Sequence, residues 1–105
     1  MDRKKDIKRV ENFKKELKKK IDVRKIIFFG SRVKGKPKKY SDFDLIIVSP
    51  YFQRKKILDR PLGFYKYWKI DYPVDFLCYT PKEFKEMSEK VTLVRDAIRE
   101  GIEIN

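Results

Sequence analysis

The chain has 105 residues, of which 42% are charged, and its 28 Lys/Arg against 16 Asp/Glu leave a net charge of +12 at pH 7. This length predicts one domain, residues 1–105, with a single core. One cysteine excludes an internal disulfide, the absence of histidine excludes a Cys/His zinc set, and no apolar run or signal peptide pattern suggests a membrane, so we expect a cytoplasmic protein. The abundance of Lys and Glu is typical of thermophile proteins.

The positive charge is concentrated in residues 1–40, which hold 17 Lys/Arg and five Asp/Glu, whereas residues 41–105 hold 11 of each. Such a basic surface attracts nucleotide phosphates or nucleic acid, or it is the solvated face of a lysine-rich helix. For residues 3–20 we favour the solvated face, because charge runs without a motif are weak evidence. For Arg32, Lys34 and Lys36 we favour phosphate binding.

The first half of the chain predicts a helix and two strands. Apolar residues recur at spacings of three and four over residues 3–20, which predicts an amphipathic helix with Asp2 as its N-cap. Residues 23–29 predict a central strand, residues 31–35 a short helix or turn, residues 36–39 a loop and residues 43–49 a second strand. The predicted core positions of the helix are Ile7, Val10, Phe13 or Lys14, Leu17 and Ile21.

The second half begins with an interrupted helical pattern over residues 51–70. Its aromatic residues Phe64, Tyr65, Tyr67 and Trp68 could stack on a nucleobase, but core or interface positions are more common for such a stripe. A third strand is predicted over residues 74–79, and Thr80-Pro81 predicts the start of a helix that runs to about Lys90. A further helix is predicted over residues 91–100, ended by Gly101, and a strand over residues 102–104. The inward residues of this helix are predicted to be Leu93, Val94, Ala97 and Ile98.

Residues 26–48 contain the candidate site. The first strand ends at Gly30-Ser31, where a glycine permits positive φ and a serine at a helix start offers its hydroxyl and N–H groups to an anion. This is either a phosphate-binding turn or only a turn with a helix cap. Asp42 and Asp44 then project from one face of the second strand, where two carboxylates repel each other unless a cation lies between them. Oxygen ligands of this kind select Mg²⁺ or Mn²⁺.

This stretch resembles the nucleotidyltransferase motif of the polymerase β superfamily, in which Gly-Ser is followed after about ten residues by Asp-x-Asp. It is most similar to the minimal nucleotidyltransferases (MNT), whose motif commonly reads Gly-Ser-Arg, a later Gly, then Ser-Asp-x-Asp-Leu. The matching residues here are Gly30, Ser31, Arg32, Gly35, Ser41, Asp42, Asp44 and Leu45. The fold class implied is α/β (α+β), with a mixed sheet of three to four strands, helices chiefly on one face and the aspartates on the other face or at its rim.

The resemblance also implies a mechanism. A nucleoside monophosphate, with ATP as the expected donor, passes to an acceptor hydroxyl while pyrophosphate leaves, and Asp42 and Asp44 hold two Mg²⁺ (or Mn²⁺) ions. A lone aspartate in the third strand needs a partner, a cation or a proton, and Asp75 matches the family's third carboxylate near the acceptor. Gly30 and Ser31 grip the β and γ phosphates, and Arg32 and Lys34 neutralise developing charge. Lys36–Lys39 is a candidate mobile flap over the nucleotide.

The acceptor is the open question at this stage. Because nothing follows residue 105, we expect the acceptor to bring its own binding surface or a partner to complete the pocket, as a hetero- or homo-oligomer. Small relatives act with HEPN-domain proteins as toxin–antitoxin pairs, which implies that this chain is an antitoxin that adenylylates a HEPN partner. The alternatives are an RNA-modifying nucleotidyltransferase, favoured by the basic N-terminal half, and a non-catalytic module that binds nucleotide or a partner.

Overall fold

A computed structural model describes residues 3–34, 42–90 and 92–105 of the protein. These residues form a sheet of four strands in the order β3-β2-β1-β4, in which β1 pairs antiparallel with β2 and β4, and β2 pairs parallel with β3. No helix in these ranges is long and apolar enough to cross a membrane. The elements in chain order are α1 (Arg3–Lys18), β1 (Lys25–Phe29), β2 (Phe43–Val48), β3 (Val74–Tyr79), α2 (Pro81–Ser88), α3 (Leu93–Glu100) and β4 (Ile102–Glu103).

The sheet is covered on both faces because its central strands are hydrophobic on both faces. Alternate residues of β2 point to opposite sides. Phe43, Leu45 and Ile47 belong to the core beneath α1, and Ile46 and Val48 belong to a second core beneath α2 and α3. Helix α1 buries Val10, Phe13 and Leu17 against the first face.

The second face is covered by two short helices. Helix α2 begins with a capping box, in which the Glu83 N–H donates to Thr80 Oγ1 and the Thr80 N–H donates to Glu83 Oε1. These two hydrogen bonds satisfy backbone N–H groups at the start of the helix, which have no partner within the helix itself. Helix α3 contacts the sheet through Val94 and Ala97.

The four predicted strands and the helices predicted over residues 3–20, 81–90 and 91–100 are confirmed within a few residues at their ends. The mixed four-stranded sheet is confirmed as well. The predicted cap Asp2, the loop that includes Gly35, Lys36–Lys39 and Ser41, and Val91 lie outside the described residues.

Of the two positions predicted for the aspartates, the opposite face or the rim, the structure has the rim. Two of the three described helices share a face, and Asp44 and Asp75 lie on that same face at the end of the sheet. Asp44 lies on this face because side chains alternate along a strand, so it points to the same side of β2 as Ile46 and Val48, which α2 and α3 cover. Helix α1 has to cover the other face, which is equally apolar.

Two further predictions are corrected. The interrupted helical pattern over residues 51–70 forms short 3₁₀ turns instead of a helix, at Pro50–Phe52, Ile57–Asp59 and Tyr65–Tyr67. Gly63, at φ +93°, adopts a left-handed conformation that no α-helix contains. In α3, Leu93 and Ile98 are exposed instead of inward, because the short helix touches the sheet along a narrow stripe.

Candidate functional site

The turn after β1 places the backbone of Gly30 directly against Asp44. Gly30 has φ +89°, and its carbonyl accepts hydrogen bonds from the N–H groups of Val33 (3.1 Å) and Lys34 (3.0 Å), so the chain turns immediately after the strand. A Cβ at Gly30 would overlap Oδ2 of Asp44. Only glycine allows both this φ and this approach, so the turn forms a shallow seat beside a carboxylate.

The aspartates of β2 and β3 face each other across the parallel pair. Asp44 is in register with Asp75 on one side and with Phe29 on the other. Residues in register on neighbouring strands are about 4.8 Å apart and project to the same face, so the two carboxylates are adjacent. Asp42 precedes β2 and is exposed, as is Asp75, whereas Asp44 is half-buried.

The electrostatics of this pair disfavour the ionised form of Asp44. Burial, followed by the neighbouring charges of Asp75 and Asp42, raises the pKa of Asp44 from its ordinary 3.8 to about 6 in total. A carboxyl group with this pKa is mostly ionised at pH 7, but it lies among like charges that a cation would neutralise.

A cavity of about 520 Å³ opens over this pair. Gly30, Asp44 and Asp75 line it, together with Tyr65 of the last 3₁₀ turn and the α3 residues Asp96 and Glu100. The volume is within the range of small-molecule sites. The cavity therefore has carboxylates from the sheet on one side and a helix on the other.

Lys34 brings the positive charge to this cavity. It lines the cavity, and its Nζ donates to both carboxylate oxygens of Glu100 at 3.3 Å. Both side chains are largely exposed, so the ion pair contributes little stability and can be exchanged for another anion. Ser31 is exposed on the turn beside Gly30.

Arg32 does not lie where the sequence predicts it. Its side chain is fully buried, and it pairs with Asp6 of α1 at 3.1 Å, instead of lining the cavity. The turn after Gly30 explains the difference, because it directs Ser31 to solvent and turns Arg32 and Val33 into the core beneath α1. The structure thus brings Gly30, Lys34 and Asp44 together around the cavity, whereas the Arg32 side chain points away from it.

A metal site at the aspartates stays a prediction. Three features suit a hard cation: the all-oxygen donors, the burial and like-charge repulsion that raise the pKa of Asp44, and the seat at Gly30. Among residues 3–34, 42–90 and 92–105, however, no three His, Cys, Asp or Glu side chains are already grouped closely enough to hold an ion.

The sequence patterns did not predict a role for three charged residues of this region. Asp96 and Glu100 lie one turn apart on α3, and only the packing of that helix brings them to the cavity. Asp6 carried a signal, because it continues the apolar stripe of α1 at Val10, Phe13 and Leu17. A charged residue on such a stripe predicts a buried partner.

The comparison with known proteins identifies the family. The profile of the family described as nucleotidyltransferase domain matches residues 10–104. The chain belongs to that nucleotidyltransferase family. The matched range includes the Gly30 turn, Asp42, Asp44 and Asp75, and all of these except Asp42 line the cavity.

Two relatives agree with this assignment. A probable protein adenylyltransferase of Haemophilus influenzae, MntA, is 41% identical over 68 residues, which are 63% of this chain and 60% of that protein. A crystal structure of a candidate nucleotidyltransferase from Sulfolobus solfataricus superposes with a TM-score of 0.64 at 18% identity, covering 92% of this chain and 77% of the other. The predicted polymerase β-like fold and the resemblance to minimal nucleotidyltransferases are thereby confirmed.

Proposed function

We propose that this nucleotidyltransferase transfers AMP from ATP to a hydroxyl group of a protein acceptor, with Mg²⁺ (or Mn²⁺) bound. The observation that carries the proposal is the in-register pair Asp44 and Asp75, which faces a cavity beside the Gly30 turn. Asp42, Asp44 and Asp75 would hold the metal, which supplies charge neutralisation for the triphosphate and for the attacking oxygen. The name of the MntA relative supports a protein as acceptor.

The chain's own residues would bind and orient the nucleotide. The hydroxyl and the backbone N–H of Ser31 donate hydrogen bonds to phosphate oxygens, and Gly30 keeps the backbone close enough for them to do so. Lys34 releases Glu100 and neutralises the triphosphate, because an exposed ion pair is easily replaced by a higher charge. Asp75, the exposed member of the Asp44 and Asp75 pair, orients the acceptor hydroxyl and favours the loss of its proton.

A protein acceptor suits the exposed apolar residues of the 3₁₀ segment. Ile57, Leu58 and Leu62 are largely exposed, and Tyr65, a few residues further along the chain, lines the cavity. Exposed apolar residues in numbers are typical of protein interfaces. A HEPN-domain protein is the partner that we propose, with this chain as the antitoxin.

RNA is the second candidate acceptor, and the charge of the protein favours it. The net charge of +12 attracts a polyanion, and α1 exposes much of its lysine to solvent. RNA binding of this kind weakens steeply as salt rises.

The experiment compares ATP labelled at the α or the γ phosphate. The protein is incubated with Mg²⁺, either label, and either the product of the adjacent gene or total cellular RNA. The proposal predicts α label on the protein acceptor and none from γ-labelled ATP, because pyrophosphate leaves. Asp44→Asn should abolish the labelling, and Asp71→Asn, which changes an exposed aspartate outside the cavity, should not. Label on RNA alone would establish the second candidate, and γ label on the acceptor would refute nucleotidyl transfer.

A further inference from the structure

The buried side chain of Arg32 joins the phosphate turn to α1. Its Nε donates to Asp6 Oδ2 at 3.1 Å and its Nη2 to Asp6 Oδ1 at 3.3 Å. Asp6 is itself held by Arg9, whose Nη1 lies 2.8 Å from Oδ1. A planar guanidinium bound through two nitrogens has a defined orientation, which a lysine ammonium does not have.

The same guanidinium contacts two aromatic rings. Its Cζ lies 4.5 Å from the ring centroid of Phe43 and 4.5 Å from that of Tyr72. Such short distances to the faces of desolvated rings are typical of strong cation–π contacts. Tyr72 is fixed in turn, because its carbonyl accepts a hydrogen bond from Trp68 Nε1 at 2.9 Å.

The two rings belong to the segments that carry the site's aspartates. Phe43 lies between Asp42 and Asp44 in the chain, and its N–H donates to the carbonyl of Pro73, just after Tyr72. Tyr72 lies three residues before Asp75, and Arg32 directly follows the Gly30-Ser31 turn. One side chain therefore contacts the three stretches that supply the phosphate seat and all three carboxylates.

Stability alone does not account for this arrangement. A buried ion pair recovers its desolvation cost only with good geometry, and well-packed apolar residues of similar volume are often as stabilising. What a bidentate, stacked guanidinium adds is a fixed relation between the groups that it touches.

We propose that Arg32 is a positioning residue that fixes the Gly30-Ser31 turn relative to the Asp42–Asp44 end of β2 and the segment before Asp75, and that it does not contact the nucleotide. The proposal rests on the proposed function for its kinetic consequence, but its structural part is independent of any activity. It also replaces the phosphate-binding role that the sequence predicted for Arg32.

The first test is kinetic and uses Arg32→Lys, Tyr72→Leu and the matched control Arg24→Lys. Arg32→Lys keeps a charge but loses the fork, and Tyr72→Leu keeps the ion pair but removes one ring. Both should lower kcat roughly 10- to 100-fold, because small misplacements of reacting groups have effects of that size. Their equilibrium Kd for ATP should stay within about threefold of the wild type, since ground-state contacts to ATP are retained. Arg24, an exposed arginine paired with Asp22, should tolerate lysine without change.

The second test needs no substrate. Hydrogen exchange at the N–H groups of Val33 and Lys34, which close the turn onto Gly30, should accelerate in Arg32→Lys and in Tyr72→Leu. The N–H of Ile46 in the middle of β2 should exchange at its wild-type rate, which separates a local loosening from a general loss of stability. If Arg32→Lys fails to fold, Tyr72→Leu decides both tests.

The possible outcomes are distinct. A tenfold or larger rise in the ATP Kd with unchanged exchange at Val33 and Lys34 would mean that Arg32 contacts phosphate, and would overturn the proposal. Equal acceleration of exchange throughout the sheet would also overturn it in favour of a merely structural role. A wild type without transferase activity would refute the proposed function alone, because the exchange data still decide whether Arg32 holds the turn.

Discussion

At the scale of single residues, the site depends on two close approaches. Asp44 lies against the Gly30 backbone on one side and beside Asp75 on the other. Each approach has a cost in the isolated protein, either in backbone conformation or in charge repulsion. Sites that tolerate such costs are commonly functional.

The charge of Asp44 should destabilise the metal-free protein. Its pKa of about 6 exceeds the ordinary 3.8, so the folded state binds more protons than the unfolded state between these values. Stability therefore falls as the pH rises from about 4 to above 6. We expect Asp44→Asn to unfold at a higher temperature than the wild type at pH 7.5 in EDTA, and the difference to shrink near pH 4. Thermal unfolding at several pH values measures this, and a lower melting temperature of the variant at pH 7.5 would contradict it.

Gly30→Ala should be more destabilising than a matched glycine substitution. Alanine at φ +89° is strained, and its Cβ would also overlap Asp44. Gly63→Ala is the control, because Gly63 has φ +93° but no atom within 4 Å of the added Cβ. We expect the control to lose about 1 kcal/mol and Gly30→Ala clearly more, as measured by urea unfolding. Equal losses would mean that Asp44 moves away freely.

Asp75 should act on the chemical step more than on nucleotide binding. Its exposed carboxylate lines the cavity, to which the proposed function assigns the acceptor hydroxyl. We expect Asp75→Asn to lower kcat at least 100-fold while the Kd for ATP changes little. Single-turnover kinetics and calorimetry measure the two quantities. A parallel loss of ATP affinity would place Asp75 on the nucleotide instead.

At the scale of elements, one arginine holds the 3₁₀ segment of residues 50–67 to the start of α2. Arg60 donates to both Glu83 oxygens at 2.7 and 3.1 Å and to the carbonyls of Lys55 and Cys78. Glu83 is also part of the capping box of α2. The segment that lacks a regular helix thus gains its order from a helix terminus elsewhere in the chain.

Glu83→Gln should weaken this attachment in a pH-dependent way. The hydrogen bond from Arg60 is the main reason that the pKa of Glu83 is lowered from its ordinary value of 4.5. A lowered carboxyl pKa contributes stability above the unfolded-state value and loses it as the pH falls through the folded-state value. We expect a loss of about 1 kcal/mol at pH 7, which shrinks as the pH falls below the ordinary pKa of 4.5. Urea unfolding measures it, with the exposed Glu86→Gln as the control that should show no loss.

At the scale of the whole molecule, burial isolates the single thiol while the basic charge remains on the surface. Cys78 lies in the core beneath α1, and burial raises the pKa of its thiol to about 12. The thiolate is the reactive form, so a thiol with this pKa is inert at neutral pH.

Alkylation of Cys78 should therefore report global unfolding. We expect labelling at pH 8 to be slow in buffer and to accelerate along the urea unfolding curve measured by circular dichroism. Labelling well before that transition would show that β3 opens locally. ATP with Mg²⁺ should slow the labelling further if both bind the folded state.

The sequence alone was sufficient for features set by local pattern. The apolar runs placed β1, β2 and β3, Thr80-Pro81 placed the start of α2, and the Gly30-Ser31 spacing to the aspartates identified the family. The strands and the helix start depend on neighbours within a few residues, whose geometry the backbone dictates.

Tertiary structure decided what depends on long-range pairing. The parallel register of β2 and β3 put Asp75 beside Asp44, and the packing of α1 buried Asp6 and drew Arg32 away from the cavity. The packing of distant segments also decided that residues 50–67 form 3₁₀ turns and that Leu93 and Ile98 of α3 are exposed. A sequence pattern shows that a residue is charged or apolar, but which partner satisfies it is settled only when distant segments pack, because desolvation penalises every buried charge without one.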